Sequence, residues 1–294
     1  MGFSVTQSSI SSMLTANLDS QQSSLSVLEQ QLSSGVNYSQ PSQDPAAVVQ
    51  ALGISSQVNR FNQYVSNAND GLIVAKMADS TLNSAVSALQ QARTVYVAAG
   101  GAGITPASAA GLVQSLQSAY QSLLGLANTT YMGQGIFAGT SGSATAYDSA
   151  GNYLGSQSSP TRTVAPAFQT PVAVTAPFGQ SGAANNVFGA LQTAISDLKA
   201  GNYSKVYNGD LATFDNAMQG VLSAAASQGQ MVQQLQYMQN QATQTVQDLQ
   251  AQYGSIQNVN VAKVASDYAQ AMNNYQIAMQ VAASAVQPTL AKYI

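Results

Sequence analysis

The chain has 294 residues, enough for one large core or two to three smaller units, and only 6% of them are charged, against about 25% in an ordinary soluble domain. With a formal charge of −3, no basic cluster, no cysteine and no histidine, it lacks a footprint for nucleic acid or anionic lipid. The same absences exclude disulfide frameworks, zinc fingers, thiolate catalysis and Ser-His-Asp chemistry, so the expected partners are proteins.

Leu14, Leu18, Leu25, Leu28 and Leu32 recur at heptad spacing with Gln21 in the one gap, which predicts a first helix with a single apolar stripe. The stretch LSSGVNYSQPSQDPAAVVQAL, Leu32 to Leu52, interrupts it. Gly35 is placed to end that helix, and Asp44-Pro45 make a good N-cap and first turn for the next. The periodicity then resumes through Ile54, Val58, Phe61, Val65, Ala68, Leu72, Ala75, Leu82, Val86 and Leu89, with Asp79 taking one seam position. A third helix is predicted from Pro106 to Asn128, its seam formed by Leu112, Leu116, Ala119, Leu123 and Leu126.

From Ala138 to about Asn186 the texture changes to Gly, Ser, Thr and Pro around short alternating runs such as RTVAPAF and TPVAVTA, which predicts a small, exposed β-rich unit. Helical periodicity returns at Val187. Leu235, Ala242, Leu249 and Ile256 recur every seven residues, and a last helix carries Val261, Val264, Tyr268, Ala271, Tyr275, Ala278, Ala282 and Ala285, flanked by Met272, Met279 and Val286. The fold expected is mainly α: a long antiparallel helical bundle, or coiled coil, built from the N- and C-terminal arms, with a small β-rich inserted domain. Its divisions would be residues 1–35 with 255–294 as terminal helices, 36–137 with 187–254 as the bundle, and 138–186 as the insertion.

The outer helices are weak by themselves. An alanine seam buries little apolar area, Ser, Asn and Thr are mediocre helix formers, and Glu/Lys pairs are almost lacking. These ends are expected to order against partners.

Little in the chain points to chemistry. GQGIFAG, Gly133 to Gly139, is a near miss to a dinucleotide fingerprint, but it follows a helix and leads into a loop, so it reads as a turn. The ten Asp and the single Glu29 are scattered, with no pair at i, i+3 or i+4 to build a metal site on one helical face. Their default is solvated surface, and no enzyme, cofactor or metal is expected. Low charge also predicts acid tolerance: with carboxyls protonated, only eight Lys and Arg remain to repel one another. The first residues, MGFSVTQSSISSMLTANLDS, lack the basic and apolar regions of a cleaved secretory signal, and no run of 18 apolar residues exists to span a bilayer.

Gln31-Leu32-Ser33-Ser34-Gly35 followed by Pro41-Ser42-Gln43-Asp44-Pro45-Ala46-Ala47 resembles a signature of the bacterial flagellin superfamily, and the proline after the acidic position is similar to its hook-filament junction branch. Gln63-Tyr64, Asn67-Ala68, Leu126 to Thr130, Asn186-Val187-Phe188 and the closing Gln287-Pro288-Thr289-Leu290-Ala291-Lys292-Tyr293-Ile294 resemble the family in order. Val36 stands where a basic residue is usual, Gln43 replaces the first Asp, and the family's Arg at position 2 is missing, so salt bridges at those places are not expected.

The resemblance implies a non-enzymatic adaptor of the bacterial flagellum, exported to the cell exterior by the flagellar type III route without a cleaved signal peptide, with an export chaperone. It would join the preceding hook-associated junction protein to the flagellin filament as a ring of its own copies, the terminal helices lining the inner tube and the insertion facing outward. The assembly interface implied is Leu14, Leu18, Leu25, Leu28, Leu32, Val261, Val264, Tyr268, Met272, Tyr275, Met279, Val286 and Leu290, with Gly35, Pro41, Asp44 and Pro45 as the linker between layers. Flagellin itself is the nearest alternative.

Overall fold

The computed structural model describes residues 7–101 and 103–286. In chain order they form α1 (Gln7–Ser34), α2 (Pro45–Ala98), α3 (Pro106–Ala127), a two-residue hairpin of β1 (Thr130–Tyr131) with β2 (Gln134–Gly135), and a second hairpin of β3 (Thr161–Ala165) with β4 (Phe168–Pro171). Then come α4 (Val187–Lys199), the single turn α5 (Tyr203–Lys205), a π-helical turn (Val206–Asp210), α6 (Leu211–Gln257) and α7 (Val261–Val286). The fold is mainly α, with long helices and only two-stranded antiparallel sheets. Contacts divide it into two compact units, one drawn from the chain up to Asn59 and from Val246 onward, the other running from Arg60 to Thr245.

In the Arg60–Thr245 unit the core row of α2 is Ala68, Leu72, Ala75, Ala78, Leu82, Ala85, Leu89, Ala92 and Tyr96, continued by Ala99 just past its end, an alternation of three and four broken once, by the two successive threes from Leu72 to Ala78. The seam expected from sequence passed through Asp79 and Val86, whereas the buried positions are Ala78 and Ala85. Two small residues let the neighbouring helices approach, and Asp79 at the edge accepts from Asn83 Nδ2 at 3.3 Å. In α3, Leu116 and Leu123 are buried as expected, while the other seam positions lie one residue on, at Val113, Tyr120 and Ala127, with Ala109 ahead of them. Thr105 and Ser108 cap that helix reciprocally before Pro106, satisfying backbone donors at its start. Arg93 of α2 grips Asp215 of α6 with two hydrogen bonds, at 2.7 and 3.0 Å.

The middle segment is less exposed than its composition suggests. Ala146, Tyr147, Val164, Val172, Ala173 and Phe178 belong to the same apolar cluster as the helices. Tyr147 is fully enclosed among Tyr153, Phe178 and Phe188; its hydroxyl accepts from Phe178 N at 3.1 Å and donates to Gly179 O at 3.2 Å. Burial raises that phenol's pKa far above its ordinary value, so it stays protonated. Asn128, just past α3, donates to Tyr147 O and accepts from Ala146 N and Tyr147 N, each at 2.8 Å. A single amide side chain thus fixes the return of the chain onto the helix. Gly151 sits at φ +79°, and a β-carbon there would lie 2.1 Å from Phe188 Cβ, so no other residue fits without displacing the aromatic cluster.

Candidate assembly interface

The unit built from the two chain ends rests on local signals. Gly35, at φ +71°, stops α1, its amide still donating to Gln31 O at 2.9 Å. The turn that follows pairs with the turn between α6 and α7: Val36 bridges Asn258, Asn37 N donates to Gln257 O at 2.8 Å, and Val259 N donates to Gly35 O at 3.0 Å. Asn37 Nδ2 adds bonds to Ile256 O and Asn258 O at 3.0 and 3.1 Å. The Pro41 turn is closed by Gln43, whose Oε1 accepts from Ser39 N at 2.7 Å and Gln40 N at 3.2 Å. Asp44 Oδ1 accepts from Ala47 N at 2.9 Å, an N-cap, and Pro45 opens α2.

Because the end of α1 is tied to the start of α7, the two helices lie side by side and antiparallel. Leu14, Leu18, Leu25, Leu28 and Leu32 of α1 are all half-buried, as are Tyr268, Ala271, Tyr275, Ala278 and Ala282 of α7, and Val264 is buried. No other described side chain of either helix is fully buried. One partner helix covers each stripe from one side only. Gln21 stands within the leucine row with its Oε1 enclosed and no hydrogen-bond donor to it, a polar seam position of the kind that fixes register at some expense of stability.

The other residues read from sequence lie on open faces. Val261, Met272 and Met279 are 56%, 40% and 51% exposed, beside Ile277 and Val281. Val286 ends α7 with its side chain outside the described residues, and Leu290 lies outside them altogether. The pair therefore presents apolar surface in a chain where most exposed groups are hydroxyls and amides. Among the described residues no three of His, Cys, Asp or Glu come together as a metal site, and no helix is long and apolar enough to cross a membrane.

A pair of helices so thinly covered opens readily. In the monomer, amides of α1 and α7 should exchange within seconds, whereas those around Leu82, Leu89, Leu116 and Leu123, all fully buried, should be protected for far longer. Hydrogen exchange read by mass spectrometry checks this, and strong protection of α1 before assembly would contradict it.

Residues 5–142, spanning α1 to α3 and the first hairpin, match the model of the bacterial flagellin N-terminal helical region. That part of the chain is similar to the N-terminal helical region of flagellins. Across 266 residues, 82% of this chain and 84% of the relative, the chain is 28% identical to flagellar hook-associated protein 3 of Salmonella typhimurium. Similarity to phase 1 flagellin of Salmonella naestved is 33% over 95 residues, 32% of this chain and 19% of that one. Outside the flagellin region the likeness is thus to the hook-associated protein. The solved structure of a flagellar hook-associated protein from Vibrio parahaemolyticus shares the fold, with a TM-score of 0.67 at 22% identity over 74% of this chain and 100% of that one. The leucine row of α1 and the helix stop and start at Gly35 and Asp44-Pro45 were legible in sequence; the tie between Asn37 and the Gln257–Val259 turn was not, since Asn37 is one polar residue among many.

Proposed function

We propose that the protein is a structural, non-enzymatic subunit of the bacterial flagellum that joins the hook-associated junction ring to the flagellin filament, polymerising through α1 and α7. The observation that carries this reading is the antiparallel α1–α7 pair whose apolar stripes are half covered. Its length supports it as well: α1 and α7, at 28 and 26 residues, are each about 40 Å long, enough to contact several neighbours along one line. Leu14, Leu18, Leu25, Leu28, Leu32, Val264, Tyr268 and Tyr275 would order the pair. Val261, Met272, Met279, Val286 and Leu290 would meet adjacent copies, methionine suiting contacts that must adapt from one ring neighbour to another.

On this reading residues 1–35 and 255–294 enter the inner tube, 36–137 and 187–254 form the surrounding bundle, and 138–186 face outward. Gly35, Pro41, Asp44 and Pro45 shape the linker that lets one polypeptide enter both layers. The partners are further copies, the preceding hook-associated junction protein, flagellin, and a chaperone during flagellar type III export to the cell exterior.

The test is polymerisation. Purified protein alone should give no long filaments by electron microscopy, and adding it to hook ends that carry the preceding junction protein should allow flagellin to elongate from them. Unlimited filaments of the protein alone would make it a flagellin and overturn the junction assignment.

A further inference from the structure

Among the described residues three enclosed side-chain oxygens receive no hydrogen bond: Thr170 Oγ1, Asp210 Oδ2 and Gln21 Oε1. Only the last lies in the α1–α7 seam. By contrast Asn186 and Gln228, the two buried amide side chains among the described residues, make three bonds each. Counting outward from the bridge between Val36 and Asn258, the seam positions of the two helices match one to one, so that Leu32 falls level with Val264, Gln21 with Tyr275 and Leu14 with Ala282. Gln21 is the fifteenth of 28 residues in α1, and Tyr275 the fifteenth of 26 in α7. The stranded oxygen therefore divides the pair at its middle, into two halves of about 20 Å each.

The two halves are not equally held. The half nearer the bridge is tied by the backbone bonds of Asn37 and Val259, and it contains Val264, the one buried side chain among the described residues of the pair. The far half, residues 7–20 with 276–286, matches Leu14 and Leu18 with alanines, which bury little area. It also carries Met13, Ile277, Met279 and Val281 exposed, and Asp19 is its one charged residue. Helical stretches of about 14 residues are marginal in water unless a well-covered face holds them.

We propose that Gln21 is a breakpoint in the seam, so that in the free molecule the far half opens first and most often, and that a second copy of this chain captures the opened half. The capture rests on the assembly reading above; the breakpoint stands on the seam itself. With the pair closed, the Gln21 oxygen is cut off from water without a replacement donor. Opening hydrates it, whereas opening at a leucine only exposes apolar surface, so the seam gives way where closing it gains least. The opened half suits an identical neighbour because it is apolar and almost uncharged, and copies set side by side have little charge to repel.

Gln21→Met tests the breakpoint, since methionine has the length and helix propensity of glutamine without its polar atoms. Hydrogen exchange of the free full-length chain, followed in mildly acid solution where it is slow enough to resolve, should be faster in residues 7–20 and 276–286 than in 22–34 and 261–274. In Gln21→Met the far half should slow about tenfold, with the Arg60–Thr245 unit unchanged. Equal exchange in the two halves of the wild type, or a far half that the substitution leaves unmoved, overturns the breakpoint. For the capture, wild type and variant compete for hook ends, and the wild type should be incorporated faster. Equal incorporation overturns capture by the opened half and leaves the junction assignment standing. Wild type that joins no hook end overturns the capture and the junction assignment together, and the exchange pattern still decides the breakpoint.

Discussion

Replacing Leu18 and Leu25 together with aspartate should abolish incorporation at the hook while leaving the thermal unfolding of the Arg60–Thr245 unit unchanged. Both leucines are half-buried in the α1–α7 seam, and each fully buried leucine contributes about 1.5–3 kcal/mol. A carboxylate at the same place forfeits that contribution and must also keep its water, which an apolar seam cannot supply. The loss falls on a pair of helices with Val264 as the one buried side chain among their described residues, so little else resists it. The flagellin-like likeness does not by itself make this prediction; it rests on how thinly the two stripes cover each other. Decoration of hook ends by the purified double variant, scored by electron microscopy, is the measurement. The unchanged melting of the larger unit shows that the chain has folded, and normal ring formation would remove α1 from the interface.

Elements with a local cause were legible in sequence. A glycine at φ +71° after a heptad run and Asp44 before Pro45 announce a helix stop and a helix start without reference to the rest of the molecule. The leucines of α1 announce their stripe because they alone keep the heptad spacing, while Met13 and Val27 fall beside it and are exposed. Where the seam is made of alanine the signal blurs: Ala78 against Asp79, and Ala85 against Val86, differ in which side faces a neighbour, and bulk favours the wrong one. The middle segment was hardest to read. Its β3 and β4 are five and four residues long, and TPVAVTA, which alternates like a strand, leaves the ladder after Pro171.

What receives the chain after Pro171 is a residue that sequence could not single out, and its loss should be the most damaging substitution in the Arg60–Thr245 unit. Gln228 lies in QGQMVQQLQYMQNQ, one glutamine among many, yet it is completely buried. Its Oε1 accepts from Val174 N at 3.0 Å, and its Nε2 donates to Ala75 O and Val172 O, each at 3.1 Å. The α6 side chain thus replaces the strand partner that β4 loses when it leaves the ladder, and it ties that chain to α2 as well. Gln228→Ala strands a buried amide and a buried carbonyl and opens a cavity, which together should cost about 3–5 kcal/mol. Gln228→Glu separates the hydrogen bonds from the packing, because the side chain keeps its size. An ionised carboxylate can still accept from Val174, but it faces two carbonyl oxygens with no proton to offer them. Protonated, it donates to one. Its folded-state pKa must therefore lie above the ordinary carboxyl range, so the variant's stability is greatest below that range and is lost as pH rises through the raised value. Urea midpoints should show Gln228→Glu nearly as damaged as Gln228→Ala at pH 7 and partly recovered at pH 4.5. A deficit independent of pH would mean that Gln228 acts by filling space and that its hydrogen bonds to the bent segment contribute little.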